Sequence, residues 1–162
     1  MRAIDIEWEG PFEVPYHRDI DAYRTPRLPD DLESEAQVYA VYGRHPVYGP
    51  GSLLYVGQTQ ASNAGRSVGR RLREHLDDRF WYQTELFIHA GIISEADITV
   101  KDPDVIRGVE SLLIAIHQPA LNTEYLKGPS KLARNLHIVN WGVPGSIVPE
   151  VSSRYFHGLA ND

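Results

Sequence analysis

Glu110 stands near the head of the run VESLLIAIHQPALN at residues 109–122, which is apolar from 112 through 116. An apolar helix of this length, ended by Pro119, is buried on most sides. An ionised carboxylate there is costly unless it pairs with a cation or holds a metal. The chain offers material for both, with Arg71 and Arg107 as pairing partners or a hard, oxygen-liganded ion as cargo. It has no cysteine, which excludes disulfides, thiolate metal sites and cysteine nucleophiles. Arg71 and His75 are four residues apart in a helical pattern and project from one side of it. A guanidinium fork matches phosphate oxygens bidentately, and an imidazole that is neutral near pH 7 can accept a proton. Side chains of these types can serve phosphodiester hydrolysis, which needs a nucleophilic water, a clamp on the phosphoryl oxygens and help for the leaving oxygen. The plainer readings are an ordinary surface histidine at 75 and an ion-paired carboxylate at 110.

The elements that must position these groups follow from the pattern. With 162 residues and 42% hydrophobic composition, one compact domain with a sizeable core is expected. No stretch approaches the roughly 20 apolar residues of a membrane span. The first ten residues lack the apolar core of a signal peptide, so the expectation is a cytoplasmic protein. Residues 1–36 hold four arginines against ten acids and so carry the whole net charge of −6, while the rest of the chain holds twelve of each sign. Rich in proline and acid, this leader reads as an extended arm. QVYAVYG and SLLYVG read as two strands around a Pro/Gly loop, and VGRRLREHLDD as an amphipathic helix with Ser67 as N-cap. YQTELFIHAGII reads as a third strand, SEADITVKDPD as irregular chain, and Asp104 as the cap of the helix carrying Glu110. Residues 128–162 read as a C-terminal extension packed on the core, with a strand or a short helix and strand before Pro/Gly turns. Trp8, Trp81 and Trp141 are expected as packing aromatics, and His117 as a packed or hydrogen-bonded core histidine.

Taken in order, VYAVYG, LLYVGQT, GRRLREHL and ESLLIAIHQPALN resemble the GIY-YIG nuclease domain, and their spacing is similar to the type II restriction endonuclease branch. The resemblance covers residues 37–122 and implies a nuclease core over 37–127, folded as α+β with a small, mostly antiparallel central sheet flanked by helices. It places the first motif on Gln37, Val38 and Tyr39, with Gln37 where the family has glycine, and the second on Tyr55, Val56 and Gly57. It matches Arg71 to the family's catalytic arginine, Glu110 to its metal-binding glutamate, and His75 and Asn122 to residues of the restriction branch. Alternation puts Tyr39 and Val41 on one strand face and Val38, Ala40 and Tyr42 on the other, so one tyrosine of that strand reaches the site; the motif selects Tyr39.

What the resemblance implies is a DNA endonuclease dependent on magnesium or manganese. Glu110 would hold the ion, Arg71 would clamp the phosphate, and Tyr39 or His75 would assist water. Tyr55 would position water or Tyr39, and Asn122 would bond the substrate phosphate or cap a turn. The arginine cluster of Arg66, Arg70, Arg73 and Arg79 is a candidate phosphate track, with Lys127, Lys131 and Arg134 extending it. The bland reading of that cluster is a solvated helix face. Cutting both strands with one site per chain requires a homodimer or two sequential nicks. The rival functions are a module of this family that binds nucleic acid or a protein partner without cutting, and an unrelated hydrolase with a narrow, non-basic pocket.

Overall fold

The computed structural model describes residues 1–59, 67–80 and 85–156, apart from the Asp77 side chain; Arg66 and Trp81 lie outside them. In chain order the elements are β1 (Arg2–Val14), β2 (Tyr16–His17), β3 (Ala22–Tyr23), α1 (Asp30–Glu35), β4 (Val38–His45), β5 (Gly49–Gln58) and α2 (Val68–Arg79). Then come β6 (Leu86–Glu95), β7 (Ile98–Thr99), α3 (Pro103–His117), β8 (Leu136–Gly142) and β9 (Glu150–Ser152). The architecture is mixed α+β. The main sheet has the order β5-β4-β6-β1-β8-β9, with β7 paired to β6, and it is antiparallel except where β1 runs parallel to β8. It is larger than the small sheet expected.

The leader is where sequence and structure part most. Residues 2–14 are sheet rather than arm, and β1 lies between β6 and β8. The physical reason is period-2 alternation. Ile4, Ile6 and Trp8 are buried while Asp5 and Glu7 take the more exposed positions between them, so four of the ten acids that suggested an arm sit on a half-buried strand. A register shift between Glu9 and Phe12 inserts one extra residue at Gly10–Pro11. Because the side-chain period is 2, that bulge moves Phe12 and Val14 to the opposite face. Pro11, with no amide proton, is tolerated there.

Each sheet face carries its own core. On one, α3 lays Val105, Ile106, Val109, Leu112 and Leu113 against Ile4, Ile6, Trp8, Val38, Ala40, Tyr42 and Ile93. On the other, Val68, Leu72 and Leu76 of α2, Leu32 of α1 and Phe80 pack against Tyr39, Val41, Leu54 and Ile88. The expected split of Tyr39 and Val41 from Val38, Ala40 and Tyr42 is present. Ser67 caps α2 by accepting from the Arg70 amide at 3.3 Å. The cap of α3 is Asp102, not Asp104: its carboxylate accepts from the Asp104 amide at 3.0 Å, and Pro103 takes the first turn, where a missing amide costs nothing. The helix ends at Gln118, in the left-handed conformation just before Pro119.

Gln37, where the resemblance expected glycine, does structural work. Its amide donates to the Val100 carbonyl at 2.7 Å and its carbonyl accepts from the Ile93 amide at 2.8 Å, joining β4, β6 and the chain after β7. His117 behaves as the core histidine expected. Its Nε2 accepts from the Val148 amide at 3.0 Å, so Nδ1 carries the proton and donates to the Leu113 carbonyl at 2.8 Å, and burial lowers its pKa. Trp8 is buried and donates to Asn140 at 2.8 Å, whereas Trp141 is half exposed and donates to Asp5 at 2.9 Å.

Since β1 is an interior strand, removing residues 1–14 should abolish the cooperative melt rather than trim a dispensable arm. Trp8→Ala alone should cost about 3–5 kcal/mol in urea unfolding. A truncated chain that melts cooperatively would refute this placement.

Candidate functional site

Glu110 and Arg71 are held on helices that cover opposite faces of the sheet, so they can meet only around an edge. That edge is β5. Beside it lies a cavity of about 270 Å³ whose lining includes Tyr55, Gln58, Arg71, His75, Glu110 and Asn122. Five of the six residues assigned from sequence to the chemistry line this one space. The sixth, Tyr39, lies behind Tyr55, with ring centroids 6.1 Å apart, and is 1% exposed.

From α2, Arg71 and His75 face the cavity as their i,i+4 spacing requires, and Arg79 joins them a turn later. Arg71 is ion-paired with Glu74 on its own helix. The His75 ring lies tilted against Tyr55, with ring centroids 5.2 Å apart, and its Nε2 is buried with no hydrogen-bond partner. Burial, then the charges of Arg71 and Arg79, lower its pKa, so the ring is neutral at pH 7. Arg79 stands over the Tyr55 ring at 5.3 Å and donates to the Leu121 carbonyl at 3.0 Å.

From α3, Glu110 brings the carboxylate that the sequence left unexplained. Among the described residues it has no ion-pair partner: Arg71 is taken by Glu74, and Arg107 lies 3.7 Å from Asp104. Burial first, then the charge of Glu124, push its carboxyl up to about 7, against the opposing pull of Arg71, Arg107 and the Gln58 amide. A desolvated carboxylate beside a second one suits a hard cation that keeps most of its waters. Among the described residues no group of three or more His, Asp or Glu gathers, so an ion here would have Glu110 as its anchoring protein ligand.

The two tyrosines are both held as phenols. Burial raises Tyr39 well above 10, reinforced by Tyr55 and opposed by Arg71, and burial also raises Tyr55. Desolvation therefore outweighs the pull of Arg71 toward Tyr39 phenolate. The Tyr39 hydroxyl is buried without a partner. It fits because position 57 is glycine: a Cβ there would lie 2.6 Å from the Tyr39 hydroxyl and 2.7 Å from the Tyr55 ring.

Asn122 has a different task from those expected of it. Its Oδ1 accepts from the Val56 amide and its Nδ2 donates to the Val56 carbonyl, each at 2.9 Å, while the Leu121 amide donates to the Leu54 carbonyl at 2.8 Å. With both polar atoms committed to β5, Asn122 positions the strand that carries Tyr55 and Gly57. Arg70 and Arg73 are exposed on α2, away from the cavity lining, and Lys127 and Lys131 are exposed beyond Asn122. Sequence reasoning did not assign Gln58, Arg79, Arg107, Thr123, Glu124 and Tyr125 to the cavity. Helical periodicity signals two of them, since Arg79 is i+4 from His75 and Arg107 is i−3 from Glu110.

Comparison with known proteins finds no matching family model, no similar curated protein and no similar solved structure. Among the described residues no helix is long and apolar enough to cross a membrane.

Two outcomes follow from this geometry. Glu110 has a raised pKa in the folded chain, so between its ordinary 4.5 and about 7 the folded state holds a proton that the unfolded state has released. Stability from this group is complete below 4.5 and is lost as pH rises toward 7. At about 1.4 kcal/mol per pH unit, Glu110→Gln should be near neutral at pH 4 and stabilising by roughly 3 kcal/mol at pH 8 in EDTA. Destabilisation at pH 8 would mean that the carboxylate has a charged partner. Gly57→Ala should cost about 1–3 kcal/mol by overpacking against the two rings, read by the same urea titrations.

Proposed function

We propose that this chain is a metal-dependent DNA endonuclease of the GIY-YIG type, hydrolysing phosphodiester bonds at the β5 edge. The observation that carries the reading is the meeting of Arg71 and His75 from one helix with Glu110 from another around a single polar cavity. The order of the four motifs supports it, as does the antiparallel β4–β5 pairing that sets Tyr39 opposite Gly57 and Tyr55 opposite Val41. Restriction and repair cleavage are the activities such a site suits, on DNA in the cytoplasm, with paired chains where both strands are cut.

In this mechanism Arg71 grips the non-bridging phosphate oxygens through its guanidinium fork. His75 is neutral and lines the cavity, and its unengaged Nε2, buried in this structure, takes the proton from the attacking water once the ring turns that nitrogen toward the cavity. Tyr55 lines the cavity as a phenol and orients that water, and Tyr39 supports Tyr55 from behind. The water oxygen forms the new bond to phosphorus while the bond to the leaving sugar oxygen breaks. Magnesium or manganese, when bound at Glu110, supplies charge neutralisation on the phosphate. A non-cutting binding module of the same type is favoured by two observations: the Tyr39 hydroxyl is sealed from the cavity, and Glu124 adds negative charge to the lining.

Supercoiled plasmid incubated with protein and magnesium should be nicked or linearised, and EDTA should stop this. Arg71→Ala and Glu110→Gln should abolish cutting, and His75→Ala should slow it by about 10²–10⁴-fold. Cleavage should decline as pH falls below about 7, where Glu110 protonates, and added magnesium should shift that decline to lower pH. Cutting that survives in EDTA or in Glu110→Gln would refute the proposal, and binding without cutting would establish the silent module.

A further inference from the structure

The end of β1 and the leader segment after it line a further cavity, of about 480 Å³, with Pro11, Phe12 and Pro15 in its wall. Its rim carries His17, Arg24 and Arg27, with Glu13 as the one carboxylate in the lining. Among the described residues, no ion pair or side-chain hydrogen bond engages His17, Arg24 or Arg27. Three basic side chains facing one space with a single acid make an anion-attracting concavity, in a segment whose overall composition is acidic.

The cavity is held in fixed relation to α2. The short β2–β3 hairpin is braced by the Tyr16 ring packed edge-on to Tyr23 at 5.1 Å, and the Arg24 amide donates to the Pro15 carbonyl at 2.8 Å. Tyr23 donates to the Phe80 carbonyl just beyond the C-terminal end of α2, at 2.7 Å. Thr25 reaches the first turn, where a Cβ on Gly69 would lie 2.6 Å from its methyl group. The segment therefore runs along the helix that carries Arg71 and His75. Arg73 is i+4 from Gly69 and shares its side of that helix, as does the Glu33 carboxylate, which would lie 3.0 Å from the same Cβ, while Arg71 faces the opposite flank.

We propose that His17, Arg24 and Arg27 form a subsite for backbone phosphates flanking the cleaved bond. This inference rests on the endonuclease reading. The twelve residues of α2 span about 18 Å at ~1.5 Å per residue. One DNA strand presents a phosphate about every 3.4 Å along the axis, so a strand lying beside α2 offers about five. A duplex seated across the exposed face of α2 would reach Arg71 on one flank and the leader's arginines on the other, through different phosphates. Nucleic acid held in this way binds through charge alone, without reading sequence.

The test measures affinity for a short labelled duplex in EDTA across a salt series, with the full chain. Arg24→Gln/Arg27→Gln removes two exposed charges from the rim. Its log–log salt slope should be shallower than that of the unmodified chain by about 1.8, from 0.9 for each of two phosphates, with an unchanged melt. Arg154→Gln, next to β9 at the opposite edge of the sheet, should leave the slope as it was. An unchanged slope in the double variant, or an equal loss in Arg154→Gln, overturns the subsite while plasmid cleavage still supports the endonuclease. A chain that neither binds duplex nor cuts plasmid overturns both.

Discussion

The double hydrogen bond from Asn122 to Val56 is the interaction on which the site depends. β5 is an edge strand, and an uncovered edge exposes a row of unpaired amides and carbonyls. The chain after α3 turns back along it, pairing Leu121 with Leu54 and giving Val56 a side-chain amide in place of a neighbouring strand. That covering carries Thr123, Glu124 and Tyr125 into the cavity wall and fixes the strand from which Tyr55 and Gln58 project. Glu110 and Arg71 come from opposite faces of the sheet and have no other place to meet.

The charges at this edge are left unbalanced. Arg71 is satisfied by Glu74 and Arg107 lies near Asp104, while Glu110, the most desolvated carboxylate of the cavity, pairs with neither. Burial pushes Glu110 and His75 in the directions that make both neutral near pH 7. The pocket lining sets Arg71, Arg79 and Arg107 beside Glu110 and Glu124. Two buried polar atoms without partners, the Tyr39 hydroxyl and His75 Nε2, sit in the same neighbourhood. Unsatisfied groups of this kind are expensive to keep, and they concentrate where a ligand is to be met.

Support for the edge comes from the far side of the sheet. β1 and β8 pair in parallel, bringing residues 2–8 beside 136–142, and β1 also braces β6 along most of its length. β6 in turn holds β4, the strand of Tyr39. The leader and the C-terminal part are thus built into the same sheet as the strands of the two tyrosine motifs.

Much of the candidate site was legible in the sequence. Period-2 alternation separated Tyr39 from Val38 and Ala40, and the i,i+4 spacing set Arg71 and His75 on one helix side. The isolated charge in an apolar helix singled out Glu110. These are local properties, fixed by strand and helix geometry wherever the elements happen to pack. What only the tertiary structure decided is long-range. Four of the leader's acids belong to an interior strand, Asn122 bonds the backbone of β5, Tyr39 lies behind Tyr55, and Arg79, Arg107 and Glu124 share the cavity. None of these follows from spacing, because each is set by which strand becomes an edge and which segment returns to cover it. Pairing order is chosen by the burial of whole faces, and a sequence read one element at a time does not contain it.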